Sequence, residues 1–230
     1  KAYYWYKKAA EQGDKDGQFD LGIMYYRGEG MQVDYLQAFS WFKKASENGH
    51  FRAQQFLGDM YYFGQEIPED LKKAFHWYKK AAAVQEHHLF NEKEIESIRK
   101  AKASLGIMFY YGEGVTQDFK KAFNWFKLVS DEPLAQFFLA DMYIAGRGVP
   151  RDLKQGISWL KKSAEQGYVE AQFDLGYYFR YGQEDKKYYS QAFYWFNKSA
   201  DKGYAEAQAN LGLMYEYGKG VKQNFTEAIS

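Results

Sequence analysis

Few residues of this 230-residue chain are of types that could do chemistry. His87 and His88, with Glu86 and Glu92 close by, carry metal-ligand side chains, and His88 and Glu92 are spaced to share a helical face. Adjacent histidines leave a helix in different directions, however, and no second cluster supplies further ligands, so no metal site is expected. Asp59 and Asp141 are of the type used in general acid–base pairs, but they lie in separate stretches that no spacing brings together. The chain has no cysteine, which excludes thiol nucleophiles, cysteine zinc sites and disulfides. It also lacks a Gly-x-Ser-x-Gly elbow, a His-Glu-x-x-His helix and a Gly-x-x-x-x-Gly-Lys-Ser/Thr loop. The expectation is no enzyme, no cofactor and no metal. Any functional residues should therefore be binding residues, and their placement depends on the elements that carry them.

Those elements repeat. The six tryptophans Trp5, Trp41, Trp77, Trp125, Trp159 and Trp195 are spaced by 36, 36, 48, 34 and 36 residues, and Leu21, Leu57, Leu105, Leu139, Leu175 and Leu211 keep the same spacings. A period in this range marks stacked helical units, each burying its apolar face against its neighbours. Residues 1–230 therefore read as a single α-solenoid domain of about six tandem repeats, with both ends falling inside a repeat. The tryptophan register is expected to mark the buried seam where each second helix packs. A net charge of +1 from 31 basic and 30 acidic residues gives no footprint for nucleic acid. No apolar run approaches the roughly 18 residues of a membrane span, so no membrane insertion is expected.

Within one unit, GQFDLGIMYYRGEG, starting at Gly17, reads as a helix stopped by glycine. Gly28, Gly64, Gly112, Gly146, Gly182 and Gly218 are expected to be left-handed caps. Asp34, Asp70, Asp118, Asp152 and Asn224 then stand where a short acceptor starts a second helix. That helix, as in YLQAFSWFKKAS at 35–46, has apolar residues at helical spacing. Gly13, Gly49, Gly167 and Gly203 close it. Small residues at Gly22, Gly58, Gly106, Ala140, Gly176 and Gly212 predict close helix contact.

AEAQANLGLMYEYGKGV at 205–221, joined to LQAFSWFKKASENGH at 36–50, resembles the Sel-one-like repeat, a relative of the tetratricopeptide repeat. The recurring Ala-x-x-x-Leu-Gly-x-Met-Tyr, Gly-x-Gly and Ala-x-x-Trp-Phe/Tyr motifs carry this resemblance over essentially the whole chain. It implies an all-α fold, a right-handed α-solenoid of helix-turn-helix repeats used as a scaffold or adaptor for other proteins. His50, at the family's Gly-His step, is expected to be structural. Many bacterial members are exported, which inclines the expectation toward a periplasmic or secreted protein. A cysteine-rich branch of the family is associated with β-lactam hydrolysis, but the lack of cysteine speaks against that alternative. A self-associating structural module, joined through exposed terminal repeats, is the other one.

The repeats differ where the core does not constrain them. Glu66 and Glu184 replace the second glycine of the loop, predicting altered loops there. The 48-residue interval holds a 12-residue insertion within 84–100. Asn91 followed by Glu94 resembles a capping box, predicting a helix from near Asn91 to about Tyr111 that projects roughly 18 Å if every inserted residue is helical. By the family resemblance the first helix of each pair lines a concave groove. The candidate residues for binding a partner protein or peptide along it are Tyr26, Arg27, Asp59, Tyr62, Phe63, Tyr110, Tyr111, Asp141, Tyr177, Arg180 and Tyr181. Tyrosine and arginine are enriched at interface hot spots.

Overall fold

The computed structural model describes residues 1–64, 66–86, 90–182 and 186–228, and no strand occurs among them. The chain divides into two compact units, Lys1–Val129 and Ser130–Ser230. The first holds α1 (Ala2–Glu11), α2 (Lys15–Arg27), α3 (Tyr35–Glu47), α4 (Phe51–Phe63), α5 (Leu71–Ala82), α6 (Glu92–Tyr111) and α7 (Phe119–Lys127). The second holds α8 (Pro133–Ala145), α9 (Leu153–Glu165), α10 (Val169–Tyr181), α11 (Tyr189–Ala200), α12 (Ala205–Tyr217) and α13 (Phe225–Ala228). In each unit the even-numbered helix packs on the helix that follows it. Asp34, Asp70, Asp118 and Asp152 start their helices by accepting from the amides of Gln37, Lys73, Lys121 and Gln155 at 2.8–3.0 Å. His50 caps α4 through Nδ1, which accepts from the Ala53 amide at 3.1 Å.

The five pairs from α2–α3 to α10–α11 are each closed by one large side chain lying on a residue without bulk. A Cβ on Gly22, Gly58 or Gly106 would come within 2.6 Å of the ring of Phe42, Tyr78 or Phe126, and one on Gly176 within 2.8 Å of Phe196. Where the first helix has Ala140 instead, the facing residue shrinks to Leu160, which is buried. The summed volume across the seam is thus kept while its distribution changes.

The tryptophans do not form this seam. Trp5 is 62% exposed, and Trp41, Trp77, Trp125, Trp159 and Trp195 are half-buried at its flank. Successive helical residues are turned by about 100°, so the residue after each tryptophan faces the partner helix. The indoles are covered by lysines instead: Lys44 lies 4.2 Å above Trp41, Lys80 4.7 Å above Trp77 and Lys162 4.4 Å above Trp159.

Two loop expectations also change. Gly182 has φ −85°, not the left-handed conformation of the other first-helix caps. Glu66 adopts φ +54°, so it keeps the left-handed backbone of the glycines at 30, 114, 148 and 220, at a cost of about 1–2 kcal/mol for a residue with a Cβ. Glu184 lies outside the described residues.

The later part of the insertion is helical, from Glu92 onward. Asn91 and Glu94 form both halves of a capping box (Glu94 amide to Asn91 Oδ1 3.1 Å, Asn91 amide to Glu94 Oε2 2.8 Å). At 20 residues, α6 is seven longer than the 13-residue α4, an extension of about 10 Å. It lies on α4, burying Ser97, Ile98 and Ala101. Glu86 holds it from the preceding stretch, pairing with Lys102 at 2.8 Å and Arg99 at 3.6 Å.

The seam generates a double-substitution test. Gly106→Ala and Phe126→Leu should each destabilise the protein by about 1–3 kcal/mol, through overpacking and a cavity respectively. The combination, which copies the Ala140–Leu160 pair, should cost clearly less than the sum of the two in a denaturant-unfolding cycle.

Candidate binding surface

The last turn of each first helix carries two adjacent side chains that the helical turn sends in different directions. Tyr26, Tyr62, Tyr110, Ile144 and Arg180 turn inward. Tyr26 sets its ring edge-on to Tyr35 and Phe56, and Tyr62 donates its hydroxyl to Glu113 at 2.6 Å. Tyr110 is only 6% exposed, packed edge-on to Phe119. Arg180 is 8% exposed, and its Nε and Nη1 have no hydrogen-bond partner among the described residues. Tyr110 and Arg180 therefore offer little to a partner.

The next residue faces solvent. Phe63 is 66% and Tyr111 56% exposed in the first unit, and Tyr181 and Tyr217 are exposed in the second. One turn earlier, Tyr177 and Leu213 are also exposed, and the rings of Tyr177 and Tyr181 lie 4.6 Å apart. Phe63, Tyr111, Tyr181 and Tyr217 each directly precede a cap glycine and keep more than half of their surface exposed.

Each unit has a cavity beside this face. In the second unit a cavity of about 500 Å³ is lined by Ile144, Leu153, Ile157, Tyr177, Tyr181 and Asp174, among others. In the first, a cleft of about 230 Å³ lies between α4 and the extension of α6, with Arg27 and Asp59 in its lining. Asp141 is held in an ion pair with Arg147 at 2.8 Å. Of the eleven candidate residues, the structure thus gathers Arg27 with Asp59 in one cleft and Tyr177 with Tyr181 in another. Phe63 and Tyr111 remain outside both.

Asp59 is bound into the fold as well as the cleft. It accepts from the Tyr78 hydroxyl at 2.8 Å and from Gln55 Nε2, while Ser97 on the α6 extension donates to Gln55 Oε1 at 3.1 Å. Burial pushes its carboxyl up to about 6, against the opposing effects of these hydrogen bonds and Lys100. The sequence carries a sign of this network: Tyr78 is the only hydroxyl-bearing residue among the seam positions Phe42, Tyr78, Phe126, Leu160 and Phe196. A buried glutamine ladder also escaped the sequence reading, although its column repeats. Gln18, Gln54 and Gln172 donate to the carbonyls of Ala10, Ser46 and Ala164, tying each first helix to the end of the helix before it.

Among the described residues no three His, Cys, Asp or Glu side chains are grouped to hold a metal ion, and His87 and His88 lie outside those residues. No described helix is long and apolar enough to cross a membrane.

The raised acidity constant of Asp59 generates a prediction. A folded value near 6 against an ordinary 3.8 means the folded state prefers the protonated acid. The stabilisation this gives is complete below about pH 4 and is lost as pH rises through 6. Asp59→Asn imitates the protonated form, with the Gln55 amide flipping to accept. It should stabilise the protein by about 1–3 kcal/mol at pH 7.5, with the difference vanishing near pH 4 in thermal melts.

Comparison with known proteins agrees with this architecture. The Sel1 repeat family matches residues 1–14, 15–50, 52–83, 99–131, 133–168, 169–204 and 205–230, leaving unmatched the stretch in which α6 is extended. Among solved structures, the chain is similar to a protective antigen of uropathogenic Escherichia coli strains that displays an SLR fold (33% identity, TM-score 0.81). The match covers 98% of this chain and 46% of that one, so the chain spans about half the length of that relative. It is similar also to a Sel1 repeat protein from Oxalobacter formigenes, at 26% identity and TM-score 0.79, covering 95% and 83% of the two chains. An immunity protein from Pseudomonas aeruginosa, at 19% identity and TM-score 0.51 over 87% and 70% of the chains, shares the fold alone. No curated protein matches the sequence. With family matches along nearly its whole length, the chain belongs to the Sel1 repeat family.

Proposed function

We propose that this protein is an interaction scaffold that binds a partner protein or peptide on the face presented by its first helices. Sel1 repeat proteins generally bind proteins, and that is the wider ground for the reading. The observation that carries it to particular residues is the exposure of Phe63, Tyr111, Tyr177 and Tyr181 at or near helix ends. None of these side chains is buried by the fold, so the packing of the repeats does not account for their aromatic character. Large, fairly rigid rings give contact area at low entropic cost, and such residues dominate interface energies. A standard interface needs about 800 Å² from each partner. Asp59, with its network to Tyr78, and the inward-turned Tyr26, Tyr62 and Tyr110 serve as the support that holds this face in place.

The test compares proteins captured from a cell lysate by the wild type with those captured by two double variants, Phe63→Ala with Tyr111→Ala, and Tyr177→Ala with Tyr181→Ala. Lys43→Ala with Lys44→Ala on α3 is the control. For a partner recovered by the wild type and the control, at least one aromatic double variant should lose roughly tenfold or more in affinity, with an unchanged circular dichroism spectrum. Equal affinity in both aromatic variants would remove this face from the function.

A further inference from the structure

The cleft beside the α6 extension has an uncommon charge arrangement. Its lining includes four cations, Arg27, Arg52, Lys93 and Lys100, and two acids, Asp59 and Glu96. Most of these are already engaged. Lys100 pairs with Glu96 at 2.7 Å, Arg27 reaches Glu29 at 3.5 Å, and Asp59 is held by Tyr78 and Gln55. Arg52 and Lys93 are not: among the described residues neither makes an ion pair or a side-chain hydrogen bond. Arg52 is the more telling of the two. Its Nε is shut off from solvent without an acceptor, and its guanidinium carbon lies 4.5 Å from the centre of the Phe19 ring. Glu94, Asp20 and Glu96 are near enough to act on its charge, but Glu94 is taken up by the Asn91 cap, Glu96 pairs with Lys100, and none of the three closes on the guanidinium. A buried donor without a partner is rare in folded proteins; the two Nη groups are not shut off in this way, and they are the donors that a ligand in the cleft would meet.

We infer that this cleft binds a peptide carboxylate, received by the Arg52 guanidinium with Lys93 beside it. The planar edge of arginine presents parallel donors that match the two oxygens of a carboxylate, and the contact with Phe19 restrains the guanidinium. The cleft is about 230 Å³, below the roughly 300–1,000 Å³ of pockets that enclose whole small-molecule ligands. It has room for one acidic side chain or one chain terminus of a partner. A phosphate dianion suits it less, because Asp59 and Glu96 stand in the same lining and repel a second charge. Lys93, Glu96 and Ser97 come from the extended part of α6, which the repeat match leaves out, and Lys100 from the turn that follows it. The inference rests on the binding role proposed above for this face, but it involves none of the exposed aromatics, so the two can fail separately.

The test follows the Arg52 side-chain Nε–H resonance in the ¹⁵N-labelled full chain. The probes are acetyl-Gly-Gly-Leu with a free carboxyl terminus, acetyl-Gly-Glu-Gly-amide, the neutral acetyl-Gly-Gly-Leu-amide, and inorganic phosphate. At least one carboxylate peptide should shift the resonance saturably, and whichever binds more tightly distinguishes a terminus from a side chain. Arg52→Gln, followed through backbone amides of the cleft, should weaken binding by roughly tenfold or more, and the surface change Lys93→Gln should weaken it several-fold. Phe63→Ala with Tyr111→Ala should leave probe binding intact, whatever that variant does to partner capture. The inference is overturned by the absence of a shift with both carboxylate peptides up to about 10 mM. An equal response to the neutral amide or to phosphate, or unchanged affinity in Arg52→Gln, overturns it as well.

Discussion

The contact on which everything else depends is the placing of one large side chain against a residue without bulk. Phe42 on Gly22, Tyr78 on Gly58, Phe126 on Gly106 and Phe196 on Gly176 draw the two helices of each pair together, and Leu160 with Ala140 does the same with the volumes shifted. Interiors packed at crystal-like density tolerate neither a surplus nor a deficit of a methyl group. This contact therefore sets the rotation of each helix about its axis. Once that rotation is set, the direction of every other side chain follows.

The exposure of the aromatics near the helix ends is a consequence of that rotation. Near the end of each first helix one residue is turned into the body and the next is turned out, which is why Tyr62 reaches Glu113 while Phe63 stands in solvent. The same logic displaces the tryptophans. With the following residue in the seam, the indoles of Trp41, Trp77 and Trp159 lie to the side under a lysine, where the aliphatic stem and ammonium group cover what the partner helix does not.

Individuality enters where the repeat is broken. Seven added residues lengthen α6, and the capping box at Asn91 and the Glu86 pairs hold that added length in place. At the position where other repeats carry the glutamine of the ladder, this one carries Lys102, so a contact to a backbone carbonyl is exchanged for an ion pair to the inserted stretch. The extension then becomes a wall of the cleft. The Asp59–Gln55–Ser97 chain of hydrogen bonds joins that wall to α4.

Repetition is the part of this protein that its sequence states openly. Helix boundaries, aspartate caps, the small residues of the seam and the capping box at Asn91 were all legible, because each depends on a few neighbouring residues and recurs at fixed spacing. The binding candidates were legible only as columns: sequence spacing places Tyr110 and Tyr111, or Arg180 and Tyr181, side by side, and nothing local says which of each pair is buried. The positive φ of Glu66, the ordinary φ of Gly182 and the unpaired Arg52 likewise had no local signature. By itself, then, the sequence determined the helices, their pairing and the family, since these follow from periodic burial and local capping. Only the tertiary structure decided which side chains are accessible and which charges remain unpaired, because both depend on how one helix is turned against the next.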